Sequence, residues 1–144
     1  MDFAFTDEQE ELIRTLRAFA RKELAPRSGH WDKTSETPWD VWRRMGEMGL
    51  LGLRAPAVYG GQETDLLTAG IVIEEICRGD FTCGYPLQLN WLAEEIIGHN
   101  GTEEMQKRWI PPAARGEAII ALALTEPGVG SDAANLVCRA EKDG

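Results

Sequence analysis

The sequence lacks the features that define several specialised classes of protein. No run approaches the roughly 20 apolar residues of a membrane-spanning helix, so we expect no membrane partner. The start of the chain is acidic where a signal or transit peptide would be basic. The three cysteines are odd in number and show no Cys-x-x-Cys spacing. They predict reduced thiols in a cytoplasmic protein, not a disulfide framework or a thiolate metal site.

Positive charge and histidine are also scarce. There are 15 lysines and arginines against 24 aspartates and glutamates, and the formal charge of −9 argues against non-specific nucleic-acid binding. His30 and His99 are isolated, so we expect no metal site. The 144 residues are 43% hydrophobic and 27% charged, which is an ordinary composition for one globular domain of a soluble protein.

Most of the chain has the patterning of amphipathic helices. Thr6 and Gln9 fit a capping box at the start of the first helix, which we expect to stop at Pro26. Pro38 is placed to open the second helix, and Pro111-Pro112 to limit the last. The third helix is apolar on nearly all sides, which is typical of the middle of a bundle. The pattern predicts five helices, at about residues 6–25, 37–49, 64–78, 85–100 and 102–112.

The pattern changes near Gly116. Residues 118–124 form a short continuous apolar run that favours a buried strand, and residues 136–141 alternate enough to be a second strand. Asp143-Gly144 is then a hairpin-turn signal at the last two positions. Because a domain rarely ends by opening a sheet, we expect this polypeptide to be truncated or to need a partner.

The densest chemical signal is the loop Leu124–Asp132, directly after the first predicted strand. Its glycines let the backbone approach a ligand closely, and its N–H groups with the Thr125 and Ser131 hydroxyls can converge on carbonyl or phosphate oxygens. A plain turn between two strands explains the same composition equally well. Gly128-x-Gly130-x-x-Ala133 also fits the dinucleotide fingerprint, but no long amphipathic helix follows it.

Residues 125–132 read Thr-Glu-Pro-Gly-Val-Gly-Ser-Asp, which resembles the Ser/Thr-Glu-Pro-x-x-Gly-Ser-Asp signature of the acyl-CoA dehydrogenase family. Segments 5–9, 49–61, 74–78 and 101–107 resemble that family in the same order, so the resemblance covers essentially the whole chain. It implies a mostly α fold, in which we expect an N-terminal up-and-down helical bundle at 1–115 and then the first strands of a β-barrel-like, flavin-binding domain at 116–144.

Members of this family are flavoproteins that use FAD to oxidise an acyl-CoA to the trans-2-enoyl-CoA, and they usually pass electrons to an electron-transferring flavoprotein. The resemblance implies that the signature stretch lines the FAD and that Ser131 also lies close to bound acyl-CoA. On the fourth predicted helix, Tyr85, Leu87 and Trp91 resemble the region that borders the acyl chain of the substrate in this family. An ordinary bundle core explains these three residues equally well. The implied cofactor-binding residues are Leu122, Leu124, Thr125, Gly130 and Ser131.

The chain departs from the family in length. The family's subunit is more than twice as long, and both its catalytic glutamate and its oligomer-forming helices lie in the C-terminal half. No residue here is therefore assigned as catalytic, and Glu126 belongs to the signature without being the base. We expect the N-terminal portion of a dehydrogenase that is a homo-oligomer at full length and inactive as this chain alone. The alternative is a non-catalytic helical interaction module, or one half of a split or heteromeric dehydrogenase.

Overall fold

The computed structural model describes residues 4–142, and that part of the chain is mostly helical. A π-helical turn, Ala20–Leu24, joins the first two α-helices, and short 3-10 turns lie at Ala57–Tyr59 and Ala133–Asn135. No helix within these residues is long and apolar enough to cross a membrane. The α-helices are α1 (Asp7–Phe19), α2 (Ala25–Thr34), α3 (Trp39–Glu47), α4 (Leu66–Gly79), α5 (Phe81–Asn100) and α6 (Glu103–Ala114).

Side-chain caps start several of these helices. The predicted capping box is confirmed, because Thr6 Oγ1 accepts from the Gln9 N–H at 3.2 Å while the Thr6 N–H donates to Gln9 Oε1 at 3.1 Å. Asp65 caps α4, and Thr102 caps α6 by accepting the Met105 N–H at 3.3 Å. These bonds satisfy N–H groups that have no partner inside the helix.

Proline stops fewer helices than the sequence predicts. The expected end of the first helix at Pro26 is wrong, since the chain runs on through the π-helical turn into α2, where Pro26 occupies the first turn. The π-helical bond from the Ala25 N–H to the Ala20 carbonyl lies just before Pro26, so the helix continues although Pro26 has no N–H to donate. Pro86 lies inside α5, which begins at Phe81 and not near Tyr85. Pro111 and Pro112 also lie inside α6, which ends at Ala114 and not at the prolines.

Helix α4 lies in the middle of the bundle, as its apolar surface predicts. It packs against α1, the π-helical turn, α2 and α5, while α5 also packs against α6. Its exposed residues are Leu66 and Leu67 in the first turn and Gly70, Glu74 and Arg78 along one face. The largest fully buried side chains that hold the bundle together include Leu16, Leu24, Met45, Leu51, Ile76, Leu87 and Ile110.

A buried carboxylate joins α4 to α1. Glu75 is only 3% exposed, and its two oxygens accept from Arg17 Nε at 2.9 Å and Arg17 Nη2 at 2.6 Å. Arg78 adds a longer bond at 3.3 Å. The hydrogen bonds from the Arg17 guanidinium hold the pKa of Glu75 below its usual range. The ion pair thus lets an otherwise apolar helix carry a charge into the core.

We expect Glu75→Gln to lower the free energy of unfolding by about 2 kcal/mol at neutral pH, because the amide NH₂ would face the guanidinium donors. Since folding lowers the pKa of Glu75, the stability that its ionised form contributes is present above the unfolded-state pKa and is lost as pH falls. The difference in unfolding free energy between the variant and the parent chain should therefore shrink toward about pH 3. Urea denaturation measures this difference. The matched control is Glu74→Gln, an exposed carboxylate whose loss should change stability by less than about 0.5 kcal/mol; equal effects of the two substitutions would contradict the prediction.

A second buried carboxyl, Glu94 on α5, has no cationic partner. Its side chain is 0% exposed, and Oε1 accepts a hydrogen bond from Asn90 Nδ2 at 3.0 Å. Neither Glu94 Oε2 nor Asn90 Oδ1 has a hydrogen-bond partner within residues 4–142. Burial raises the pKa of Glu94 to about 8, so the carboxyl is mainly protonated at neutral pH.

The connector between α3 and α4 is a compact loop that covers one end of the bundle. Leu51, Leu53 and Ala55 are buried in it, and it is tied to itself by backbone bonds such as Gln62 N–H to the Gly52 carbonyl at 3.1 Å. A Cβ added to Gly61 would overlap the Ala55 carbonyl. Glycine at this position is therefore a packing requirement.

The structure does not show the strands expected at 118–124 and 136–141. Within the described residues neither segment pairs with a neighbour, and the bridge between Glu126 and Val129 is isolated. The expected burial of 118–124 is wrong for this chain, since Leu122 and Leu124 are 41% and 42% exposed. A strand is completed by the ladder of its neighbours, and these segments have none here. The hairpin signal at Asp143-Gly144 lies outside the described residues.

Candidate functional site

The five residues that the sequence predicts to bind a cofactor all lie in the segment that follows α6. The side chains of Leu122, Leu124, Thr125 and Ser131 are exposed, as is Gly130. This segment leaves the bundle after Gly116, where a left-handed backbone (φ +75°) turns the chain away from α6. The candidate site is therefore open to solvent along its whole length.

A tight turn brings the two ends of the signature together. The Glu126 N–H donates to the Val129 carbonyl at 2.9 Å, and the Val129 N–H donates to the Glu126 carbonyl at 3.1 Å. Thr125 and Gly130 consequently lie side by side, because a Cβ placed on Gly130 would be 3.9 Å from Thr125 Cγ2. The turn thus brings together two residues that are five positions apart in the sequence.

The Glu126 carboxylate closes a larger loop. Its Oε2 accepts from the Val137 N–H at 3.0 Å, and its Oε1 accepts from the Cys138 N–H at 2.8 Å. Sequence reasoning placed Glu126 in the signature but gave it no role, since its partners lie 11 and 12 residues further along the chain. No short-range pattern would have revealed this link.

Asp132 has a local role in the same loop. Its Oδ2 accepts from Asn135 Nδ2 at 2.6 Å, and its carbonyl accepts the Asn135 N–H at 3.0 Å. These bonds shape the 3-10 turn Ala133–Asn135. The structure thus gives Asp132 the turn role that the sequence left open beside a cofactor role.

The loop retains hydrogen-bonding groups that the protein itself does not use. Within residues 4–142 the N–H groups of Gly128, Gly130 and Ser131 donate to no acceptor, and the Thr125 and Ser131 hydroxyls make no hydrogen bond. Donors of this kind, next to glycines without side chains, can bind the oxygens of a phosphate or a ring carbonyl. The exposed Leu122 and Leu124 supply apolar surface beside them.

The three α5 residues considered for acyl binding separate into two groups. Leu87 is 0% exposed and Trp91 is 5% exposed, with Trp91 Nε1 donating to the Leu50 carbonyl at 2.7 Å, so both belong to the bundle core. Tyr85 is exposed and stacks on Phe81 with ring centroids 6.1 Å apart. Tyr85 does not line the open groove of about 350 Å³ between α4 and α5. That groove is lined by Leu66, Ile73, Gln88 and Leu92 and by the Arg54–Glu95 ion pair.

Comparison with solved structures gives the class of the protein. Glutaryl-CoA dehydrogenase from Mycobacterium smegmatis, in complex with FADH2, matches with a TM-score of 0.88 and 28% identity, over 97% of this chain and 36% of that chain. A structure described as the electron transferring flavoprotein of Acidaminococcus fermentans matches with a TM-score of 0.84 and 34% identity, over 94% and 36% of the two chains. The described residues thus share the fold of about a third of each of these two chains.

The family follows from the sequence. The model of the acyl-CoA dehydrogenase N-terminal domain matches residues 6–117, and the chain belongs to the acyl-CoA dehydrogenase family. A relative, the probable acyl-CoA dehydrogenase YngJ of Bacillus subtilis, is 34% identical over 149 residues, which cover 100% of this chain and 38% of the relative. The chain therefore spans little more than a third of the length of the curated relatives that it matches.

Proposed function

We propose that this chain is the N-terminal portion of an FAD-dependent acyl-CoA dehydrogenase that oxidises an acyl-CoA to the trans-2-enoyl-CoA. Residues 1–115 would be its helical domain, and 116–144 would begin the flavin-binding β-domain. The observation that carries the proposal is the family match over residues 6–117, followed directly by the signature loop. The complex of the Mycobacterium smegmatis relative with FADH2 supports the choice of cofactor.

The residues present fit a flavin nucleotide. The unpaired N–H groups of Gly130 and Ser131 suit pyrophosphate oxygens, and the exposed side chains of Leu122 and Leu124 suit a flat aromatic ring. We assign the Thr125 hydroxyl to the ring and place Ser131 close to the substrate as well. When bound, FAD supplies the acceptor for a hydride from the substrate β-carbon. Fixed donors in this loop would stabilise the negative charge that such a transfer places on the ring.

We place the catalytic base outside these 144 residues. The buried carboxylates are engaged or enclosed, since Glu75 pairs with Arg17 and Glu94 has no access to solvent. Both oxygens of Glu126 accept backbone N–H groups. A base must reach the proton that it removes, and none of these can do so as placed. We further propose an electron-transferring flavoprotein as acceptor and a homo-oligomer for the longer enzyme.

Exposed apolar side chains on α4 and α5 favour a second form of the proposal, in which this chain is one half of a split or heteromeric dehydrogenase. Leu66 at the start of α4 is 76% exposed and Phe81 at the start of α5 is 68% exposed, more than an isolated bundle needs to show. A partner polypeptide that restores activity on mixing would support the split form. Activity that returns only when the two parts are covalently joined would support a single longer chain.

We expect the 144-residue chain to show no acyl-CoA-dependent dye reduction and to bind FAD weakly. A chimera that joins it to the part of the Bacillus subtilis relative beyond the matched region should bind FAD and reduce the dye. In that chimera, Gly130→Val should raise the Kd for FAD at least about tenfold, because the side chain would occupy the surface that approaches the cofactor. Flavin fluorescence measures the Kd for FAD, and the absorbance of the dye measures its reduction.

The matched control is Gly128→Ala, whose added Cβ meets no atom within 4 Å and which should bind FAD like the parent chimera. Two results would count against the proposal: turnover by the isolated chain, which would place a base within it, or equal FAD affinity in the Gly130 variant and the parent.

A further inference from the structure

We propose that Glu126 is a positioning residue, whose carboxylate holds residues 126–138 in a closed loop and so presents Thr125, Gly130 and Ser131 as one preorganised surface. The ligand of that surface rests on the proposed function above. The closure of the loop itself rests only on the contacts of this chain.

The carboxylate bonds are of a kind that glutamate is suited to make. Each oxygen accepts one backbone N–H, from Val137 at 3.0 Å and Cys138 at 2.8 Å, and hydrogen bonds to an ionised acceptor are stronger than neutral ones. Glutamine offers one acceptor oxygen and an NH₂ that would face the second N–H donor. Aspartate is one methylene shorter, and alanine offers neither oxygen. Glutamate is therefore the side chain that satisfies both donors.

The loop has few other tethers. Its side chains between Pro127 and Leu136 are exposed apart from the half-buried Val129. Its remaining fixed points are the Glu126–Val129 backbone pair and the Asp132–Asn135 turn, which shape it locally without joining its two ends. The Glu126 carboxylate is thus the only side chain within the described residues that links the ends of the loop.

Closing the loop before a ligand arrives affects how tightly the ligand binds. Ordering a flexible backbone has an entropic cost, and binding carries that cost if the loop is open beforehand. The Glu126–Val129 backbone pair places Gly130 beside Thr125, and the Glu126 carboxylate holds the far end of the loop, at Val137 and Cys138, against that turn in the free protein. We therefore assign Glu126 to the affinity of the site, acting through the backbone and without touching the reacting atoms.

The test uses Glu126→Ala and Glu126→Gln, with Glu141→Ala as an exposed carboxylate control in the same segment. Amide hydrogen exchange at Val137 and Cys138, followed by ¹⁵N NMR on the 144-residue chain, reports the closure. We expect exchange at both amides to quicken at least about tenfold in the alanine variant and less in the glutamine variant. Amides in α4 and α5 should keep their parent rates, because the bundle does not depend on the loop.

The second measurement is the Kd for FAD in the chimera described above, which should rise about tenfold in Glu126→Ala and partly recover in Glu126→Gln, at an unchanged unfolding midpoint. Parent exchange rates in the alanine variant would overturn the closure. Faster exchange with an unchanged Kd would overturn the positioning role. Faster exchange in Glu126→Ala, combined with a parent chimera that binds no FAD, would uphold the closure and refute the proposed function instead.

Discussion

Glu94→Gln should raise the free energy of unfolding by about 4 kcal/mol at pH 8 and leave it nearly unchanged near pH 4. The buried carboxyl has a pKa of about 8 in the folded chain, well above the 4.5 of an ordinary glutamate. Between these pH values the Glu94 carboxyl is ionised in the unfolded chain and protonated in the folded chain. The stability that Glu94 contributes is therefore full below about pH 4.5 and is lost progressively up to about pH 8.

Glutamine has nearly the same shape and does not titrate, so the difference between the variant and the parent isolates this one group. Its carbonyl oxygen can still accept from Asn90 Nδ2. Urea denaturation at several pH values from about 4 to 8 gives the difference, and titrations shared by both proteins cancel. Glu141→Gln, an exposed carboxyl outside the bundle, should leave stability unchanged throughout. Parallel curves for parent and Glu94→Gln would contradict the assignment of the pH dependence to Glu94.

Gly61→Ala should lower the free energy of unfolding by about 3 kcal/mol. The added methyl group would overlap the Ala55 carbonyl, a backbone group that cannot rotate away. To make room, the connector must shift and weaken bonds such as Glu63 N–H to the Ala55 carbonyl at 3.2 Å. It would also lift buried residues, among them Leu53, off the end of the bundle.

Gly70→Ala is the matched control, because it makes the same chemical change inside α4 where an added Cβ meets no atom within 4 Å. Alanine favours a helix over glycine, so this variant should be more stable than the parent by about 0.5–1 kcal/mol. Thermal and urea unfolding, followed by circular dichroism, measure the stability of both variants. Similar losses in the two variants would mean that the close approach at Gly61 has no special effect on stability.

The helices could be predicted from the sequence because their signals are local. Apolar residues at intervals of three and four mark α4, and the box formed by Thr6 and Gln9 lies within one turn. Proline gave the errors, since Pro26 was expected to end the first helix and Pro111-Pro112 the last, whereas the helix continues through both. The residues next to a proline do not show whether a helix ends there or continues.

The candidate site was harder to predict because its geometry depends on distant contacts. The sequence identifies Thr125, Gly130 and Ser131 as residues suited to a ligand, and their role in flavin binding stays a prediction. The closing link from Glu126 to Val137 involves a backbone N–H that carries no residue-specific signal. The strands expected at 118–124 and 136–141 are not formed within the described residues for a related reason. An apolar run shows that a segment can be a strand, but it does not show that a neighbouring strand is present to pair with it.

The π-helical turn Ala20–Leu24, in which the Ala25 N–H donates to the Ala20 carbonyl, has a consequence for comparing this chain with its relatives. Such a turn holds one residue more than the same stretch of regular α-helix, and the surplus is absorbed without moving the helices on either side. A relative with a regular helix here would superpose on α1 and α2 and yet be one residue shorter. An alignment of the two would need its gap inside a continuous helix, a place where insertions and deletions are normally penalised.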